Sequence, residues 1–326
     1  MPLFGPPDIN DIKKLKDKRN VKGLIKAMQH EKVRIEAIEA LRKIRAKEAI
    51  NPIVEILVSD KSYSVREAAV EALDRLGWKP THDKASAIYW DEKREYGKCA
   101  ACGVHAIEPL MKHIFGPGFH EGRDYYVIIG PKALPPLIAK ADSLFQLHSK
   151  LLAGRNWFDF YKPGDSKAYE MNQATFGRLK DCILVIGDFG SSEAEEYLLE
   201  LYKKERELIK EWFSLNSVDT GVNTILNFIL MALRHTPHSK KFIKLLAYII
   251  ENEPHHFIRS EALGFVGELM DKGVIEVMTK EMKNAITKAP YWEDLYEKGQ
   301  AKQGLSFDSS SRRMISRLLK KLEKVK

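Results

Sequence analysis

The chain has 326 residues, 44% of them apolar and 30% charged, with a formal net charge of +8. That is enough apolar material for a large core, while the lack of any run of about eighteen apolar residues argues against a membrane-spanning helix. Three cysteines do not make a disulfide framework and favour a reducing, cytoplasmic setting, and the opening M-P-L-F-G-P-P-D-I-N lacks the basic-then-apolar pattern of a secretory signal.

The charge is uneven. Residues 11–26 hold seven Lys or Arg against Asp11 and Asp17. Residues 312–326 hold Arg312, Arg313, Arg317, Lys320, Lys321, Lys324 and Lys326 against Glu323. The stretch between, 27–311, sums to −2. Two basic ends on a slightly acidic body do not predict one continuous basic groove.

Taken in chain order, the first strong signal is V-R-I-E-A-I-E-A-L-R-K-I at Val33–Ile44. It returns as V-R-E-A-A-V-E-A-L-D-R-L at Val65–Leu76 and, more distantly, as I-R-S-E-A-L-G-F-V-G-E-L at Ile258–Leu269. Each reads as an amphipathic helix with Arg34, Arg66 or Arg259 in its first turn. In the second copy Val65, Ala68, Ala69, Ala72, Leu73 and Leu76 share one face, Gly77 suits the C-cap and Pro80 prevents resumption. A second marker opens other helices: A-I-N-P-I at Ala49–Ile53, A-I-E-P-L at Ala106–Leu110 and A-L-P-P-L at Ala133–Leu137. Pro52, Pro109 and Pro136 fit a first helical turn, where a missing N–H costs little. The period is near thirty residues and holds two helices, which predicts an all-α fold of the α-solenoid type.

Between and after these markers lie less regular stretches. Cys99 and Cys102 form C-A-A-C, with His105, His113, His120 and Cys182 as further conceivable zinc ligands. The competing reading is that small apolar residues are needed there for helix packing, and the ligand set completes no recognised pattern. F-G-P-G-F-H-E-G-R-D-Y at Phe115–Tyr125 is glycine-rich and predicts a loop or a shortened helix. Residues 154–176 begin G-R-N-W-F-D-F-Y-K-P-G-D, where Trp157, Phe158, Phe160 and Tyr161 either plug an irregular core or form an exposed aromatic binding loop. A degenerate unit follows at Leu179–Leu201, with its turn inside I-G-D-F-G-S-S. Helices are expected at Val222–Arg234, Lys240–Asn252, Ile258–Met270, Val274–Lys288 and Ser311–Val325. Over Ser309–Lys326 the apolar face is Ile315, Leu318, Leu319, Leu322 and Val325. Opposite it stands a basic face that caps the array or contacts an acidic partner or nucleic acid.

The two markers resemble HEAT repeats, in particular the short HEAT-like repeats named after phycobilisome lyases. L-G-W-K-P at Leu76–Pro80, Y-W at Tyr89–Trp90 and G-V-H-A-I-E-P-L at Gly103–Leu110 are also similar to a recurring segment of such proteins. The resemblance implies HEAT-like helical hairpins over residues 1–142 and an irregular helical continuation over 143–326, closed by the basic helix at 309–326. A HEAT-like iron hydroxylase holds its metal through His-Glu pairs on the repeats. Here the corresponding positions are Ile35–Glu36, Glu67–Ala68 and Ser260–Glu261, and the pairs His30–Glu31 and His120–Glu121 fall in expected turns, so that activity is not carried over.

The expected function is a non-enzymatic scaffold for protein–protein interaction, cytoplasmic and monomeric, without cofactor, metal or membrane attachment. Its candidate contact residues are Trp157, Phe158, Phe160 and Tyr161 and the basic Arg312, Arg313, Arg317, Lys320 and Lys321. The alternatives are a nucleic-acid-binding, DNA-glycosylase-like protein, which the acidic body disfavours, and a phycobilin lyase-type enzyme or chaperone, for which no catalytic residue can be matched.

Overall fold

A hairpin of helices cannot bury its apolar stripe alone, so each must find the next. In the computed structural model, which describes residues 7–115, 119–152, 166–209, 225–253, 256–274, 280–288 and 309–324, every regular element among the described residues is helical. The contacts divide the chain into two compact units, Met1–Ala133 and Leu134–Lys326. The fold class is the all-α solenoid of helical hairpins.

The first unit begins with α1 (Ile9–Asp17) and α2 (Val21–Ala27), continues through α3 (Arg34–Ile44), α4 (Ile50–Ser59), α5 (Tyr63–Leu76) and α6 (Lys84–Glu92), and ends with the short α7 (Tyr96–Ala100), α8 (Ile107–Met111) and α9 (Phe119–Ile128). Local chemistry sets the boundaries. Asp8 and Asp11 form a reciprocal capping box at the start of α1, and Asp83 caps α6 through the Ser86 N–H. Gly77 ends α5 at φ +79°, a conformation that glycine adopts without strain. The three proline markers share a device that spacing did not show. A 3₁₀ turn (Lys47–Ala49, Gly103–Ala106 or Pro131–Ala133) buries its alanine and then passes into the helix that carries the proline.

Helices pack in alternation: α3 lies on α5 and on α2, α4 on α5 and on α6. Leu24, Met28, Ile38, Leu41, Ile53, Leu57 and Leu73 form the seam, each fully buried, and Ala37, Ala69 and Ala72 let the backbones approach. Burying one such leucine contributes roughly 2 kcal/mol.

The second unit contains α10 (Leu134–Leu152), α11 (Ser166–Asp188), α12 (Ser192–Leu208), α13 (Ile225–Leu233), α14 (Lys240–Asn252), α15 (His256–Asp271), α16 (Lys280–Lys288) and α17 (Ser309–Lys324). Here α11, α13, α15 and α17 form one row in which each touches the next, while α14 packs on α16 and α15. α11 and α13 approach closely, and a side chain at Gly187 would meet the Ala232 backbone at 2.5–2.8 Å.

Three expectations are refined. The glycine-rich stretch holds a short helix, α9, so His120–Glu121 lies in a helix and not in a turn. The turn of the degenerate unit falls after Asp188, with Gly190 at φ +57°. Residue 142, where the repeat resemblance fades, lies inside α10, and the contacts divide earlier, at Ala133.

Candidate functional site

The first-turn arginines act as joints. Arg34 Nε donates to the Met28 carbonyl at 2.8 Å, Arg66 Nη1 to the Asp60 carbonyl at 3.2 Å and Arg259 Nη1 to the Glu253 carbonyl at 3.2 Å. In each case the acceptor lies six residues earlier, at the C-cap of the preceding helix, so the guanidinium satisfies a carbonyl orphaned by the helix end. The first two also reach a carboxylate 26 residues ahead: Arg34 to Asp60 at 2.5 Å and Arg66 to Glu92 at 2.5 Å. Glu253 closes the third joint from the other side, since Arg206 Nε reaches its carboxylate at 2.9 Å. Burial pushes the Arg259 guanidinium down to about 10.

Arg34 thus ties the start of α3 to the ends of α2 and α4, Arg66 ties the start of α5 to the end of α4 and to α6, and α3 and α5 pack side by side. Tyr63, Glu67, Glu71, Asp74 and Arg75 make an exposed stripe on α5, with Tyr63 55% exposed. Arg42 of α3 meets Glu71 at 2.8 Å, and Lys93 meets Asp74 at 2.7 Å. The Tyr89 hydroxyl also donates to Asp74, and burial followed by this carboxylate raises the phenol above its ordinary value. Trp78, Tyr89 and Trp90 pack edge to face with centroids 4.9–5.2 Å apart, and Lys98 lies 4.5 Å over Trp90. Sequence reading named these aromatics as markers but did not bring them together. Their positions in L-G-W-K-P and Y-W were the available signal.

At the other end of the chain, the terminal helix α17 buries Ile315, Leu318 and Leu322 against α15 and α16, and Leu318 passes 3.6 Å from where a side chain at Gly267 would stand. That apolar face is consumed by packing, as a capping role requires. The opposite face carries a cleft lined, among the described residues, by Arg313, Ser316, Arg317, Lys320 and Lys321. Asp271 of α15 pairs with Arg317 at 3.1 Å and with Lys321. The Lys321 hydrogen bond, ahead of the charges of Lys321 and Arg317, holds the Asp271 carboxyl below its usual range.

Of the expected site residues, the structure thus brings Arg313, Arg317, Lys320 and Lys321 onto one surface. Arg312 lies on the same helix, but its side chain falls outside the described residues, as do Trp157, Phe158, Phe160 and Tyr161 altogether. Cys99 is buried in α7 and Cys102 in the turn that follows it. Burial, with the nearby Asp91 charge, pushes the Cys99 thiol up to about 12, and burial also raises Cys102. Asp91 itself is engaged by Lys112 at 2.5 Å and by His113 at 2.6 Å. Among the described residues no three His, Cys, Asp or Glu side chains gather as a metal site would require. In the second unit His148 and Glu205 lie 3.5 Å apart, both buried, a pairing that no sequence spacing announces.

Residues 18–96 match the family of HEAT repeats. The matched stretch runs from the end of α1 to α7 and contains the Arg34 and Arg66 joints, so the likeness to HEAT repeats covers this part of the first unit. No curated protein matches the chain. No helix among the described residues is long and apolar enough to cross a membrane.

Proposed function

We propose that the chain is a non-enzymatic helical-repeat scaffold whose stacked hairpins mediate protein–protein interaction, working as a monomer in the cytoplasm. The observation that supports this reading is the pair α3 and α5. They repeat one sequence signature and begin with the same arginine joint, and α5 presents a polar stripe that starts at an exposed tyrosine. Helical repeats use such stacked surfaces for partner recognition, and tyrosine and arginine are residues on which interfaces concentrate their energy. A glycosylase-like hold on DNA fits this stripe poorly, because Glu67, Glu71 and Asp74 would oppose phosphates. The phycobilin-lyase subtype and its chemistry gain no matched residue.

A photo-crosslinking residue placed at position 67 of the full chain tests the reading in nuclease-treated native extract. The expected result is a discrete protein adduct that disappears in Tyr63→Ala/Arg75→Glu while the melting temperature is unchanged. Adducts that survive that double substitution, or capture of nucleic acid alone when nuclease is omitted, would overturn it.

A further inference from the structure

Among the described residues, the ion pairs on α17 differ from those elsewhere along the helix rows. Between α3 and α5 one arginine, Arg42, meets one carboxylate, Glu71. Between α13 and α15 Arg234 meets two, Glu261 at 3.1 Å and Glu268 at 2.8 Å. Between α15 and α17 the ratio inverts among the described residues, since Asp271 serves both Arg317 and Lys321. Arg313 and Lys320 line the same cleft, both exposed, and among the described residues Lys320 pairs with no carboxylate.

We propose that this basic face of α17 docks an acidic protein segment, an extended stretch with Asp or Glu at every second position, and that Asp271 competes with it for Arg317 and Lys321. The spacing fits. At about 1.5 Å rise per residue, Arg313, Arg317 and Lys320 or Lys321 stand about 4.5–6 Å apart along the helix. Alternate side chains of an extended chain stand about 6.6 Å apart on one face. Asp271 already shows that Arg317 and Lys321 accept a carboxylate side chain between them. A nucleic acid is the poorer fit because the cations are confined to one helix face and the adjacent α15 exposes Asp271 and half-exposes Glu268, so phosphates have no continuing track. A membrane surface is poorer still, since the apolar face that would insert is buried.

The inference takes from the scaffold reading only that the partner is a protein, and its test does not need that partner. The probe is a fluorescent peptide of four Glu-Ser repeats, with four Gln-Ser repeats as its neutral control, titrated with the full chain at low ionic strength. The acidic peptide is expected to bind and the neutral one not. Arg313→Glu/Lys320→Glu, which leaves Ile315, Leu318 and Leu322 in place, should weaken binding about tenfold or more. Asp271→Asn should tighten it about threefold by releasing Arg317 and Lys321; a purely structural Asp271 would leave affinity unchanged and lower only the melting temperature. Equal binding of both peptides, indifference to the double charge reversal, or tighter binding of a short single-stranded oligonucleotide on the same face would each overturn the proposal. Unchanged or weaker binding by Asp271→Asn would overturn the competition. If the peptide fails while crosslinks at position 67 persist, the scaffold reading stands and the α17 site falls; the reverse outcome isolates the opposite failure.

Discussion

Arg66 concentrates several functions in one side chain. It caps the end of α4 through two carbonyls, Asp60 and Lys61, and neutralises Glu92, whose side chain is 3% exposed. Truncating it strands a buried carboxylate, which costs more than the pair contributes when intact. Arg66→Ala is therefore expected to destabilise the protein by about 3 kcal/mol in urea titration, and Arg66→Ala/Glu92→Gln by clearly less, because the unpaired charge is gone. Equal losses in the two variants would show that the capped carbonyls matter and the carboxylate does not. The sequence exposed the place of this arginine, since Arg34, Arg66 and Arg259 align in three helix starts. It did not expose the partner. A hydrogen bond to a backbone carbonyl leaves no mark on residue identity, and the separation of 26 residues to Asp60 and Glu92 becomes meaningful only once the hairpin geometry is known. The cysteines illustrate the opposite case, where the ambiguity was chemical. C-A-A-C can serve zinc as well as the packing that the incomplete ligand set favours, and burial decides its reactivity. With Cys99 and Cys182 pushed up to about 12, their thiolate fraction at pH 8 falls about a thousandfold relative to a free thiol. An aromatic disulfide reagent at that pH should titrate none of the three within minutes in the native protein and all three in guanidinium; rapid labelling of Cys99 without denaturant would contradict its burial.

Helices were legible wherever an apolar stripe met a capping residue. Lys240–Asn252 and the end of α5 at Leu76 appear at the expected residues, because Ser239 and Gly77 mark the boundaries chemically. Glycine-rich stretches read less well. Gly187 stands in the segment that contains an inter-helix turn, yet it belongs to α11 and serves its crossing with α13. The same residue type thus marks a break at Gly190, where φ is positive, and a close contact at Gly187, where it is helical. Only the neighbouring helix distinguishes them. The difference sets a sign. Gly187→Ala gains up to about 1 kcal/mol of helix propensity, but its methyl meets the Ala232 backbone at 2.5 Å, which no rotamer change relieves. A net destabilisation of about 2 kcal/mol is expected. Gly264→Ala, in the middle of α15 with nothing within 4 Å of the new methyl, should instead stabilise by about 0.5–1 kcal/mol. Two chemical denaturation curves decide the matter, and a stabilising Gly187→Ala would mean that α11 and α13 do not cross as closely as described.

At the scale of the molecule, almost every packing partner of a helix is its neighbour or next neighbour in the chain. That pattern made the fold class readable from a period of about thirty residues, and it also hid the boundary between units. When contacts are local everywhere, a change of unit leaves no change of composition, and the division of contacts at Ala133 and Leu134 has no compositional mark beside it. Local packing also predicts how damage spreads. In a nearest-neighbour array, stability is roughly a sum of repeat and interface terms, and a weakened joint loosens its own surroundings first. Hydrogen exchange read by mass spectrometry should therefore show Arg66→Ala raising exchange in α4, α5 and α6 while α13 and α14 keep their protection. Gly187→Ala should do the reverse, loosening α11 and α13 and sparing α3 to α5. Each unit has its own buried seam, Ile38 to Leu73 in one and Leu226 to Leu269 in the other, so neither substitution removes a contact from the other's core. Loss of protection in both units from either substitution would mean that the chain opens as one cooperative body, and the arginine joints would then stabilise the whole molecule and not only the hairpins they pin.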